Sequence, residues 1–303
     1  MSSCLLAAIC VEMPPASTKR QFFVREYDLG ATLTSGQAFR WQENDGAWIG
    51  VVGARWVRLR PGLSSIAAEV AEPVADWRWL AGYLQVKVNL RTVLAGFPND
   101  DPMRAAVAAC RGLRLLRQDP WECLASFILS STKQIVQIRQ IISLVCERFG
   151  DPVAVPRDQP HAFAFPSPAR LERTTEADLR LCKMGFRAPF LLAVARAITS
   201  GQLDLQRLHN LPVEVARTGL MKLPGVGPKI ADCVLLFAYG FQTAFPVDVW
   251  VTRALLKLYF PHRQVSMARM QKFAATHFGA HAGYAQQYLF HYMRTGSRRM
   301  LRN

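Results

Sequence analysis

Alternation of polar and apolar positions marks the first part of the chain as strand. Residues 22–60 read as antiparallel strands. Phe39-Arg40-Trp41, then Asn44-Asp45-Gly46, then Trp48-Ile49-Gly50-Val51-Val52 predicts a hairpin around an Asp-Gly turn. Gly53-Ala54 opens a second turn into Arg55-Trp56-Val57-Arg58-Leu59-Arg60, where basic and apolar residues alternate and one face is wet. Pro61-Gly62 ends that strand. From about residue 102 the period lengthens. Residues 121–131 form an apolar segment of helical length. Ile135, Ile138, Ile142, Val145 and Phe149 follow at steps of three and four, a helix stripe that Gly150-Asp151-Pro152 stops. A Pro-rich connection over 151–168 precedes helical patterns at 188–199, 213–221, 228–239, 249–260, 266–278 and 283–294. The fold class expected is α+β. A flexible extension (1–18) leads into an antiparallel β-rich N-terminal domain (19–100). That domain packs on a mostly helical core (101–295), and a basic tail (296–303) ends the chain.

Composition narrows the partners. The 303 residues include 37 Lys and Arg against 22 Asp and Glu, for a net charge of +15, while half are apolar and 19% are charged. Such a chain buries a core, which excludes wholesale disorder. The charge favours an anionic polymer, most often nucleic acid, over a basic surface with no polyanion function. Asp248 is the last acid, and the stretch after it carries Arg253, Lys257, Arg263, Arg269, Lys272, Arg294, Arg298, Arg299 and Arg302. Seven cysteines, an odd count with no C-x-x-C pair, argue for a reducing intracellular compartment, bacterial cytoplasm or nucleus, and against disulfides or a zinc knuckle. No apolar run is long enough for a membrane span, and the short apolar run at 5–11 has no basic residue before it, so no membrane partner is expected.

The most informative segment is Leu223-Pro224-Gly225-Val226-Gly227-Pro228-Lys229-Ile230-Ala231-Asp232-Cys233, between two helical patterns. Its glycines permit a tight turn and close approach to something large. Pro228 starts the next helix, whose N-terminus suits a phosphate. An ordinary turn between two helices satisfies the same pattern. Lys229 is flanked by Ile230, Ala231 and Val234, so it reads either as a partly desolvated nucleophile or as a phosphate-contacting or exposed lysine. Asp248, in Phe245-Pro246-Val247-Asp248-Val249-Trp250, is placed to cap a helix. A carboxylate next to a phosphate-binding turn also costs repulsion, which points to chemistry: stabilising a cationic sugar or handling protons.

LPGVGPKIADC followed by PVD resembles the helix-hairpin-helix and Gly/Pro-Asp motif of the base-excision DNA glycosylase superfamily, with the hairpin at 213–240. Four further segments resemble the 8-oxoguanine DNA glycosylase family in order: Ser35-Gly36-Gln37-Ala38-Phe39-Arg40-Trp41, Asp119-Pro120-Trp121-Glu122-Cys123-Leu124 with Ser130-Ser131, Gly185-Phe186-Arg187-Ala188, and Tyr284-Ala285-Gln286-Gln287-Tyr288-Leu289-Phe290.

The resemblance implies a bifunctional glycosylase and AP lyase acting as a monomer on damaged double-stranded DNA, with no cofactor and no metal. Lys229 would attack the sugar C1′ and form a Schiff base, and Asp248 would stabilise the oxocarbenium. Gly36 would read the oxidised base through its carbonyl. Cys233 and Phe290 would sandwich the base and Gln286 would bond its edge, with Phe237 and Pro246 beside them. Thr132, Gln137, Phe186, Arg187, Gly225, Val226, Gly227 and Trp250 would face DNA. The chain departs from the family at Thr132-Lys133-Gln134, where asparagines are usual, and at Gln137, which takes the place of an arginine reading the orphaned cytosine. Phe186 stands for a tyrosine wedge and Trp250 for a histidine near a phosphate. These changes leave the opposite-base preference open. The four-cysteine iron–sulfur pattern of the endonuclease III branch is absent. A monofunctional alkylpurine glycosylase using Asp248 and water, or a non-catalytic hairpin protein that only holds DNA, are the alternatives.

Overall fold

The computed structural model describes residues 15–300. Most of the expected N-terminal extension and residues 301–303 of the expected tail lie outside the described residues.

Five strands form one antiparallel sheet: β1 (Ser17–Phe23), β2 (Gln42–Asn44), β3 (Ala47–Val52), β4 (Arg55–Gly62) and β5 (Ser65–Val74), in spatial order β1-β5-β4-β3-β2. Asp45 and Gly46 both take positive φ, and this turn joins β2 to β3 with Asn44 opposite Ala47. The inner face, with Phe22, Val57, Leu59, Ile66, Ala68 and Val70, is buried with residues of α1 (Leu29–Thr34) and α2 (Arg78–Leu84). Several sequence expectations are corrected. A strand already starts at Ser17, inside the expected extension. Within 22–60 the chain forms helix α1, because Asp28 accepts from the Ala31 N–H (2.7 Å) and Leu29 and Leu33 share one buried side. Phe39-Arg40-Trp41 lies outside the strands. Pro61-Gly62 does end β4, opposite Ile66 and Ser65, but a further strand, β5, then turns back between β4 and β1, beyond the expected strand region.

The remainder is helical: α3 (Leu90–Ala95), α4 (Asp101–Ala109), α5 (Pro120–Leu129) and α6 (Ile135–Phe149) precede a two-residue ladder, β6 (Pro152–Val153) with β7 (Ala162–Phe163). Then come α7 (Pro168–Glu172), α8 (Glu176–Arg180), α9 (Ala188–Thr199), α10 (Val213–Met221) and α11 (Pro228–Val234), which passes into a π turn over Leu235–Tyr239. Last are α12 (Val249–Leu258), α13 (Met267–His277) and α14 (Ala282–Met300). The first five residues of the expected tail are thus helical. Helix α5 is buried nearly along its length, so it runs through the middle of the helical core. Among the described residues no helix is long and apolar enough to cross a membrane.

Gln37 stitches the sheet unit to the helical core. Its fully buried amide donates to the carbonyls of Thr32 (2.9 Å) and Arg114 (2.8 Å) and accepts from the Leu116 N–H (2.8 Å). A buried amide with all these bonds made specifies one arrangement of the chain around it. Its carbonyl accepts from the Gln118 side chain (2.7 Å), and the Gln118 N–H donates to the Phe237 carbonyl (2.8 Å). Across the seam, Gln287 on α14 donates to the Ser35 carbonyl (2.9 Å). The loop carrying Gly36 is therefore pinned on both sides.

Candidate active site

The hairpin forms as its punctuation dictates. Helix α10 ends before Leu223, whose carbonyl accepts from the Val226 N–H (3.1 Å), and Gly227 precedes α11 with Pro228 in its first turn. Gly225 has φ +76°, and a Cβ there would stand 2.7 Å from the Phe190 ring, so the turn packs against α9 and needs glycine. Pro224, Gly225 and Gly227 are exposed, whereas the Val226 side chain is buried and leaves only its backbone to a ligand.

Helix α11 then presents Lys229 inward, half-buried. Its Nζ donates to Ser130 Oγ (3.2 Å) at the end of α5 and lies 5.3 Å from the centre of the Phe127 ring. Phe237 stacks on that Phe127 ring at 5.6 Å, so it supports the lysine's neighbour from within the core. Asp248 caps α12: its Oδ1 accepts from Val251 N (2.8 Å) and Trp250 N (3.0 Å). Burial raises the Asp248 carboxyl above the usual range; the two backbone donors and the charge of Lys229 pull it back. Cys233, one turn beyond Lys229, is buried and its thiol is pushed up to about 12 by that burial, with Lys229 opposing and Asp248 and Asp232 adding to it. It is an uncharged, polarisable wall next to a cation and a carboxylate.

A second group of expected site residues comes from the two ends of the chain. Gly36 has φ +80°, and a Cβ there would meet Ile135 at 3.2 Å and the Phe290 ring at 3.3 Å. Gln286, one turn before Phe290, is 4% exposed, and its Oε1 is buried without a hydrogen-bond partner. An orphaned buried carbonyl costs about 1–3 kcal/mol, and a ligand donor would remove that cost. Pro246 is buried in the segment leading to Asp248, where neighbouring Phe245 stacks on Phe278 (5.2 Å).

Four expected DNA-facing residues cluster around the turn after α5. Arg187 is buried; it donates to the Ser131 carbonyl and to Thr132 Oγ1 (2.6 Å) and lies 4.2 Å over the Phe186 ring. Thr132 takes φ +55°, a rare conformation for a β-branched residue. Phe186 is 54% exposed, a bare aromatic edge beside that cluster. Gln137 is exposed, but its Oε1 accepts from the Gln134 N–H (3.1 Å) as half of the capping box of α6. Trp250 is on α12, half-buried under Arg253. The terminal cations divide. Arg253, Lys257, Arg263, Arg269 and Lys272 are exposed, but Arg294 is buried, donating to the Thr34 carbonyl and lying over Phe290. It fastens α14 to the Gly36 loop rather than serving as open positive surface.

Phe127, Ser130 and the Gln37–Gln118–Gln287 clamp have no role in the sequence reading. Ser130 and Gln37 stand inside recognisable motifs, but their partners are far away in the chain.

Comparison with known proteins agrees along the chain. Residues 21–124 match the family model for the 8-oxoguanine DNA glycosylase N-terminal domain, and residues 125–276 match that of HhH-GPD superfamily base excision DNA repair proteins. A probable N-glycosylase/DNA lyase of Methanothermobacter thermautotrophicus is 31% identical over 89% of this chain and 95% of its own. The N-glycosylase/DNA lyase OGG1 of Arabidopsis thaliana is 31% identical over 88% of this chain and 77% of its own. The crystal structure of Clostridium acetobutylicum 8-oxoguanine glycosylase/lyase, bound to double-stranded DNA with cytosine opposite 8-oxoG, superposes with a TM-score of 0.85 at 31% identity, covering 89% of this chain and 93% of that one.

Proposed function

The chain belongs to the 8-oxoguanine DNA glycosylase family, and from that membership we propose that it excises 8-oxoguanine from duplex DNA and then cleaves the strand as a lyase. The residue assignment is supported by the charge of Lys229 acting on the half-buried carboxyl of Asp248, with Cys233 under the influence of both, and the pocket we assign lies between Cys233 and the Gly36–Phe290 contact.

The damaged nucleotide leaves the stack and enters this pocket. The Gly36 carbonyl and the Gln286 amide read its edge, and the Cys233 thiol and Phe290 ring cover its faces. The Lys229 amine gives its lone pair to C1′ while the N9–C1′ pair leaves with the base, which takes up a proton. The Asp248 carboxylate opposes the positive charge that builds on the sugar. The bound nitrogen then loses its proton as the sugar ring opens, giving a Schiff base. Loss of a C2′ proton expels the 3′ phosphate and nicks the strand. The hairpin backbone at Gly225–Gly227 and the exposed cations of α12 and α13 bind phosphates without reading sequence. One copy of the chain holds every group named, so it acts as a monomer. Five free, buried cysteines, Cys110, Cys123, Cys146, Cys182 and Cys233, suit a reducing intracellular compartment.

Borohydride trapping on an 8-oxoguanine duplex tests this reading. Wild type gives a covalent adduct and Lys229→Gln gives none. Release of 3-methyladenine without nicking, or an adduct with Lys229→Gln, overturns it.

A further inference from the structure

The geometry points to Ser130 as the residue that aims the Lys229 lone pair. This rests on Lys229 being the nucleophile. Ser130 follows the last residue of α5, and its hydroxyl has one proton. That proton is committed: Oγ donates to the Phe127 carbonyl at 2.7 Å. Towards Lys229 the oxygen can therefore only accept, and it does so at 3.2 Å. A hydroxyl free to rotate would serve an ammonium or a neutral amine equally, donating to the amine lone pair. One fixed as an acceptor cannot.

The consequence appears when the lysine becomes a neutral amine. An acceptor binds one of its two N–H groups, so the lone pair must point away from Ser130. The Phe127 ring, 5.3 Å from Nζ, covers another side and also prefers positive N–H edges to a lone pair. Two neighbours on α5 thus exclude the lone pair from their directions and leave it those away from α5, while Cys233 on α11 and Asp248 at the start of α12 are near enough to feel the lysine's charge. The end of α5 adds the partial negative charge of a helix C-terminus, which holds the ammonium there before it is spent. Ser130 is a positioning residue: it touches the nucleophile, not the DNA.

The test uses full-length protein. Ser130→Ala removes the acceptor, and Ser130→Thr keeps a hydroxyl at the same place. Single-turnover excision and borohydride trapping are measured at saturating 8-oxoguanine duplex, with DNA affinity and melting temperature measured alongside. With one oriented hydrogen bond to a charged group lost, Ser130→Ala slows adduct formation roughly tenfold. Affinity for the duplex and melting temperature stay at the wild-type values, and Ser130→Thr restores most of the rate. If Ser130→Ala traps as fast as wild type while Lys229→Gln traps nothing, the inference fails and the assignment of Lys229 stands. If Ser130→Ala loses rate, affinity and melting temperature together and Ser130→Thr restores none of them, Ser130 is only a helix cap and the inference also fails. An adduct with Lys229→Gln removes its premise.

Discussion

A Cβ placed on Gly36 would stand 3.3 Å from the Phe290 ring, although 254 positions, the difference of their numbers, separate the two residues. The contact makes glycine a requirement twice over, since Gly36 also has φ +80°. Gly36→Ala is therefore expected to cost about 1 kcal/mol through the backbone, and a melting temperature a few degrees lower, at about 2–4 °C per kcal/mol. The larger effect falls on the pocket. Excision from an 8-oxoguanine duplex drops, while nicking of a duplex with a preformed abasic site persists because no base has to be seated. Parallel rate measurements on the two substrates decide it; equal losses on both would assign Gly36 to stability alone.

Asp248 is a group the fold holds at a cost. Burial raises its carboxyl pKa above the unfolded value, so the folded state keeps the proton to higher pH than the unfolded state does. Stability from this group is present in acid and is lost as pH rises through the folded value. Asp248→Asn caps α12 equally well and carries no charge. It should melt higher than wild type at pH 7, with the difference closing as pH falls toward the ordinary aspartate value of about 3.9. Excision should fall by roughly 10² or more, with DNA affinity kept or improved. Melting curves across pH and single-turnover rates check both halves.

Gln286 offers the same trade in a neutral group. Gln286→Met replaces a buried carbonyl that lacks a partner by an apolar chain of similar size. The melting temperature should hold or rise. Excision of 8-oxoguanine should fall by roughly tenfold, the worth of one buried hydrogen bond at about 1–3 kcal/mol. Unchanged excision would show that Gln286 does not read the base.

Lys229 and Asp248 were legible because punctuation surrounds them: Gly227-Pro228 sets the start of α11, and Asp248 stands where α12 needs a cap. Helices α9, α10 and α11 with its π turn match the expected 188–199, 213–221 and 228–239 for the same reason. Helix α1 was hidden, since six residues offer only the Leu29–Leu33 step. Strand β5 was hidden because Ala67, Ala68 and Glu69 are weak strand formers that two flanking strands hold in place. The contacts that build the site had no local signal at all. Gln37 reaches Arg114 across 77 positions, and Lys229 reaches Ser130 across 99.

The hairpin itself is braced by Arg217 on α10, which donates to Asp232 Oδ1 (2.7 Å) on α11 and also to Glu214. Burial raises the Asp232 carboxyl and Arg217 holds it down. Arg217→Met leaves a buried carboxylate, only 9% exposed, without its cation. The expected cost is about 3 kcal/mol at neutral pH. It shrinks in acid, where Asp232 takes up a proton. Adding Asp232→Leu should recover most of the loss. Urea unfolding of the two variants at two pH values measures it.

The last prediction concerns the opposite strand. The segment after α5 offers Thr132, whose hydroxyl already accepts from Arg187, and Gln137, whose carbonyl oxygen is spent on the capping box of α6. Neither presents the rigid fork of donors with which an arginine reads a base edge. Wild type should therefore excise 8-oxoguanine opposite all four bases with rates closer together than a bidentate reader would allow. Gln137→Arg restores a fork at the first turn of α6. It gives up one capping bond, about 1 kcal/mol of stability, and each good bidentate contact is worth about 1–3 kcal/mol of discrimination. The cytosine preference should rise roughly tenfold while the melting temperature falls slightly. A panel of four duplexes differing only in the opposite base, run with wild type and Gln137→Arg, reads both effects. A wild-type enzyme already strict for cytosine would show that Arg187 leaves Ser131 and Thr132 on binding and does the reading itself.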